Sequence, residues 1–126
     1  MRKVVLFTLF LLVPTWALAD NHDTAIVEMW KCKLKDGKTM EEVQAVKKRW
    51  LAMTRKVAGS DEVNSYSLET IVGDLTMFGF ADAYPDMATY AKVKAAEDTE
   101  EGEAIDDAFD ALMDCSDNRL YTSKKH

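Results

Sequence analysis

Between residues 24 and 35 the chain alternates. Ile26, Trp30, Cys32 and Leu34 fall on one side, with Glu28 interrupting them, and Val27 and Met29 fall on the other. A period of two predicts a strand, and Asp36-Gly37 closes it as a turn. The period then changes. Thr39 and Glu42 form a capping box, and Met40, Val43, Val46, Trp50, Met53 and Val57 follow at helical spacing until Gly59, which predicts a helix. Two stretches rich in β-formers come next, at 63–72 and 75–82, separated by Gly73-Asp74, and they predict a hairpin closed by a two-residue turn. Pro85 opens a short helical stretch carrying Met87, Tyr90 and Val93. A second stretch carries Ile105, Ala108, Phe109, Leu112 and Met113, with Glu100, Glu101 and Glu103 in its first turn, where the helix dipole favours acids. Residues 115–121 follow a helix and precede a polar tail, and a last strand is expected there.

The order strand, helix, strand, strand, helix, strand is the split pattern of an α+β, ferredoxin-like βαββαβ fold with an antiparallel sheet, whose last strand lies beside its first. The two cysteines fit that arrangement. Cys32 is late in the first strand and Cys115 early in the last, so antiparallel neighbours bring them together. Nothing near either cysteine has the spacing of a zinc site or of a redox pair, and a structural disulfide is expected. Closing so long a loop restricts the unfolded chain by roughly 4 to 5 kcal/mol in the chain-entropy account. With the cysteines directly opposite, Trp30 faces Asp117, Glu28 faces Arg119 and Ile26 faces Tyr121, which predicts an ion pair between Glu28 and Arg119. A bulge would break that correspondence.

The beginning of the chain is different in kind. Arg2 and Lys3, the apolar run Val4 to Val13, Pro14 and a closing Ala17-Leu18-Ala19 read as a signal peptide over residues 1–19, cleaved after Ala19. The apolar stretch is short of the roughly 20 residues that span a bilayer. The expected product is one domain over 20–126, periplasmic or secreted, without a membrane attachment. The full chain carries 16 basic and 22 acidic residues. Losing Arg2 and Lys3 makes it more acidic still, which disfavours nucleic acid as a partner. The histidines are His22 and His126, one near each end of that domain, so a core histidine to ligate haem or act as base is absent. The acids between Asp98 and Asp110 do not match a calcium loop, and the seven methionines read as core filler. No metal or cofactor is expected.

The run VEMWKCKL, the long helix after it, and the passage LTMFGFADAYPDMATYAK resemble the dimeric α/β-barrel superfamily, which includes antibiotic-biosynthesis monooxygenase-like, NIPSNAP-like and stress-responsive domains. The resemblance implies two ferredoxin-like protomers packed sheet against sheet, with a cleft beside each sheet. The residues agree that neither face of the first strand is fully solvated: one face packs on helices and the other requires a partner, so a homodimer is expected. The candidate ligand-binding face holds Glu28, Trp30, Asp117, Arg119 and Tyr121, joined by Tyr66 and Phe80 from the hairpin. A carboxylate beside an arginine and aromatic rings suits a small aromatic or acidic ligand, or lets Glu28 act as a base; the same groups also suit a structural ion pair in a wet interface. Three functions follow: a dimer that binds a small apolar or aromatic molecule, a cofactor-independent monooxygenase or isomerase, and a structural or interaction module.

Overall fold

A computed structural model describes residues 24–126; the expected signal segment lies outside the described residues. The elements are β1 (Thr24–Leu34), α1 (Met40–Ala58), β2 (Asn64–Glu69), β3 (Met77–Tyr84), α2 (Met87–Glu97), α3 (Glu100–Asp110) and β4 (Met113–Lys124). The strands form one antiparallel sheet in the order β2-β3-β1-β4. This is the ferredoxin-like α+β fold, with the crossover before β4 split into two helices.

Local chemistry explains most of the boundaries. In α1 the Thr39 hydroxyl accepts from the Glu42 N–H and the Glu42 carboxylate accepts from the Thr39 N–H, while Gly59 ends the helix in the left-handed conformation, its N–H donating to the Arg55 carbonyl. Asp86 caps α2 by accepting from the Thr89 N–H at 2.7 Å. Thr99 caps α3 by accepting from the Gly102 N–H, which places Glu100, Glu101 and Glu103 in its first turn as expected.

Two boundaries differ from expectation. The hairpin does not close through Gly73-Asp74 alone: β2 ends at Glu69 and β3 starts at Met77. A type I′ turn needs two successive residues at positive φ. Only Gly73 takes one, at +109°, and no non-glycine among the described residues does. A wider loop results, tied by the Thr70 hydroxyl donating to the Met77 carbonyl and by Asp74 accepting from the N–H and hydroxyl of Thr76. It leaves Ile71, Val72 and Leu75 exposed. At the other end α3 stops at Asp110, so Met113 belongs to β4, which is longer than the expected strand.

The three helices cover one face of the sheet. Val43, Val46, Trp50 and Met53 of α1, Val93 and Ala96 of α2 and Ile105 of α3 pack there against Cys32, Phe78, Phe80 and Tyr84. Among the described residues no helix lies on the opposite face, and Met29, Tyr66, Leu68 and Tyr121 stand exposed on the sheet.

Candidate functional site

Cys32 and Cys115 form the expected disulfide, with Cα atoms 3.9 Å apart. The register beyond them is not the expected one. Cys32 pairs with Cys115, but Lys31 pairs with Asp117, so Ser116 is an extra residue on β4 and the ladder shifts between Lys31 and Cys32. From there Trp30 lies opposite Asn118, Glu28 opposite Leu120 and Ile26 opposite Thr122. Because side chains alternate between faces, one extra residue carries every later side chain of β4 to the other side. Asp117, Arg119 and Tyr121 therefore lie on the open face, and the Glu28–Arg119 ion pair does not form. Arg119 instead donates to Asp117 at 2.9 Å, exposed.

The candidate residues divide accordingly. Glu28, Trp30 and Phe80 face the helices. Tyr66, opposite Ala81 on the hairpin, lies on the open face with Arg119 and Tyr121. That face carries a shallow groove of about 350 Å³ that includes Met29, Leu68, Met77, Arg119 and Tyr121.

The face toward the helices holds a cleft of about 340 Å³ walled by Trp30, Trp50, Phe80 and Phe109. Its polar groups begin in the sheet. Glu28 and Asp82 are directly opposite each other on β1 and β3, both pointing inward, and they are 2 % and 1 % exposed. Two buried carboxylates so placed repel each other and have lost their hydration, so each requires a cation and hydrogen-bond donors. The cations come from separate helices and the other donors from neighbouring strands. Asp82 accepts from Lys47 of α1 at 2.8 Å and from the Ser65 hydroxyl at 2.6 Å. Glu28 accepts from Lys94 of α2 and from the Asn118 amide, both at 2.9 Å, and from the Tyr84 hydroxyl at 3.3 Å. Lys94 also reaches Glu97 at 2.9 Å, whose other oxygen accepts from the Trp50 indole N–H.

The two ammonium groups also rest on aromatic faces. Lys47 Nζ is 3.9 Å from the centroid of Trp50 and 4.6 Å from that of Phe80; Lys94 Nζ is 5.5 Å from Tyr90 and 5.6 Å from Trp30. Their surroundings nonetheless push them in opposite directions. Burial pulls the Lys47 amine below the ordinary lysine value, and Asp82, Glu28 and Glu97 offset this only in part. Burial also opposes the charge on Lys94, but its hydrogen bonds to Glu28 and Glu97 outweigh it and leave its pKa raised. Desolvation raises the Tyr84 hydroxyl far above the usual phenol range, so it is a neutral donor to Glu28. At the rim, burial and then the nearby Glu97 raise the carboxyl of Asp106.

Lys47, Trp50, Asp82, Lys94 and Glu97 are not among the candidate site residues read from the sequence, where Trp50 stands only as an apolar position of α1. Signals for two of them exist. Lys47 falls within the apolar stripe of α1 between Val43 and Trp50, and Asp82 interrupts the inward series Phe78, Phe80, Tyr84, as Glu28 interrupts β1.

No family model matches the chain, and no curated protein is similar to it in sequence. Solved structures do match. SnoaB, a cofactor-independent oxygenase from Streptomyces nogalater, superposes with a TM-score of 0.60 at 13% identity, over 81% of this chain and 95% of that one. A NIPSNAP family protein from Agrobacterium tumefaciens gives 0.58 at 19% identity, over 79% and 86% of the two chains. An uncharacterised NIPSNAP-like domain protein from Burkholderia xenovorans gives 0.55 at 18%, over 81% and 85%. The fold is the ferredoxin-like fold of these proteins. The superfamily resemblance read from VEMWKCKL and LTMFGFADAYPDMATYAK thus holds at the level of fold, for two of the three groups it named, the monooxygenase-like and the NIPSNAP-like.

Proposed function

We propose that this protein is an exported domain that binds a small aromatic molecule in the cleft between its sheet and helices. One observation carries the reading: an aromatic-walled cleft of about 340 Å³ is lined by the Lys47–Asp82 pair and by Lys94, which is paired with the buried Glu28. Buried ion pairs contribute little net stability compared with well-packed apolar groups of similar volume. A core that carries two of them, beside a cavity of ligand size, is organised for recognition as well as for folding. The rings supply apolar area and the charged groups fix the orientation of a polar substituent. Trp30 and Phe80 are walls of this site, and Glu28 acts on it by holding Lys94.

Export and dimerisation belong to the same reading. The formed disulfide, which persists in oxidising compartments, supports cleavage after Ala19 and a periplasmic or secreted location. Among the described residues no helix is long and apolar enough to cross a membrane. The exposed Met29, Tyr66, Leu68 and Tyr121 on the open face support a homodimer in which a second copy covers that face, with Arg119 and Asp117 as polar contacts within it.

A direct test is available because the chain's tryptophans are Trp16, Trp30 and Trp50, and the last two both line the cleft. After signal removal, all indole emission reports on the site. Titration with p-cresol is expected to quench that emission saturably. Phe109→Ala should weaken binding about tenfold, the scale of one lost aromatic contact, while Arg119→Ala on the far face leaves the curve unchanged. Linear, unsaturable quenching would reject the reading.

A cofactor-independent oxygenase or isomerase is a second reading, favoured by the Lys47–Asp82 pair, which can take a proton from a bound phenol or enol. SnoaB, similar in fold, is described as such an oxygenase. Oxygen consumption on adding a hydroxylated naphthalene, abolished in Lys47→Met, would select it over simple binding.

A further inference from the structure

Lys47 and Lys94 share one cleft and differ in how firmly their protons are held. Lys94 is clamped between two carboxylates, Glu28 and Glu97, both at 2.9 Å. Among the described residues Lys47 has one ion-pair partner, Asp82, whose other oxygen is already taken by Ser65. The Lys47 side chain is 12% exposed, and what is exposed opens into the cleft between Trp50 and Phe80. When two titratable groups in one site are pushed apart in this way, their chemical roles separate: one stays a fixed charge and the other can shed its proton.

We propose that Lys47 is a nucleophile that captures small aromatic aldehydes in the cleft as a reversible imine. The inference rests on the aromatic-ligand reading of this cleft and adds a carbonyl to the ligand's chemistry. Four rings wall the space beside the amine, so an aromatic ring can stack there while its carbonyl carbon meets Nζ. A lysine in an apolar pocket is the ordinary form of an activated amine, and the downward pull of burial on Lys47 acts in the required direction.

The step balances with the groups present. The Lys47 ammonium passes a proton to Asp82 Oδ2, 2.8 Å away. The freed nitrogen lone pair forms the C–N bond while the carbonyl π pair moves to oxygen. A proton moves from nitrogen to that oxygen, giving a neutral carbinolamine. Asp82 then protonates the hydroxyl, the C–O bond breaks, and water leaves. The product is a protonated imine facing an ionised Asp82, so the buried charge pair that existed before capture is restored after it. The reverse sequence with one water releases the aldehyde. Lys94 keeps its proton throughout and remains the partner of Glu28.

The test is reductive trapping of the mature protein with benzaldehyde and cyanoborohydride near neutral pH, followed by peptide mapping. The expected result is one benzyl adduct on Lys47, at least about tenfold above that on the exposed Lys92, which has no aromatic-walled pocket beside its amine. Lys92→Arg should leave the yield on Lys47 unaltered, and Lys47→Arg should abolish that adduct. Because mapping on the unaltered protein already decides the matter, poor folding of a variant does not obscure it. Equal labelling of Lys47 and Lys92 overturns the inference, as does a preference for Lys94. Saturable p-cresol quenching beside a negative trapping result would leave the binding reading standing and remove the imine alone. Failure of both measurements would remove both.

Discussion

At the scale of residues, the main fact is that two acids sit opposite each other inside the sheet and two lysines answer them from different helices. Removing one lysine exposes how much each pairing contributes. Lys94→Met leaves Glu28 with Asn118 and Tyr84 as donors and no cation in contact. Loss of one partner of a buried pair costs about 3–5 kcal/mol, but the Lys94 side chain is 29% exposed and its field is partly screened, so about 2 kcal/mol is expected by urea unfolding. The pH dependence separates the lysines further, with Asp82, Glu28, Glu97 and Asp106 as the acids around them. Lys94 is raised above 10.5 in the fold. The folded state binds more protons there, so its stabilisation is complete below 10.5 and declines as pH climbs through the folded value. Lys47 is lowered from 10.5. In its window, from the folded value up to 10.5, the unfolded state binds more protons, and stability increases with pH. Lys47→Met should remove that alkaline increase and Lys94→Met the later decline. Parallel stability curves for the two variants across the alkaline range would refute the assignment.

At the scale of elements, the helices reach their positions through a close approach at the α2–α3 junction. A Cβ on Gly102 would lie inside the van der Waals contact of the Ala96 and Glu97 carbonyl oxygens, backbone atoms that cannot swing aside. Gly102→Ala is therefore expected to destabilise by about 1–3 kcal/mol, as overpacking does, and to move Glu97 away from Trp50 and Lys94. Urea unfolding measures the first effect, and a shift in Trp50 emission reports the second. Unaltered stability would mean that the junction yields more easily than its geometry indicates. The same elements mark what could be read from the sequence. The capping box at Thr39, the acids of the first turn of α3 and the pairing of Cys32 with Cys115 were all legible, because each rests on local spacing or on topology. The site was legible only in part. Glu28, Trp30 and Phe80 share the helix-covered face, whereas Tyr66, Arg119 and Tyr121, expected beside them, lie on the open face. The cause is one residue, Ser116, whose insertion leaves no hydrophobic signature in a strand that is mostly exposed. Lys47 and Lys94 were missed because a lysine beside an apolar stripe usually snorkels to solvent; only the buried carboxylates it meets in three dimensions keep it inside.

At the scale of the whole molecule, the described residues cover one face of the sheet and leave the other open. The disulfide fastens β4 to the centre of the sheet across a separation of 83 residues, a closure that restricts the unfolded chain by roughly 4–5 kcal/mol, so both faces are presented as one rigid surface. The helix-covered face keeps its cleft without outside help. The open face presents Met29, Tyr66, Leu68 and Tyr121, at 36%, 58%, 38% and 44% exposure. Such a patch in water favours association, and a two-fold contact is the simplest one a single chain can make with itself. Static light scattering at micromolar concentration is expected to give twice the protomer mass. Tyr66→Glu sets two like charges into a self-complementary contact and should shift the mass to that of one protomer, with little change in p-cresol binding, since the cleft lies on the other side of the sheet. A monomer before any substitution would reject the homodimer. A Tyr66→Glu monomer that had also lost p-cresol binding would show that the two faces depend on each other, contrary to a sheet that separates them.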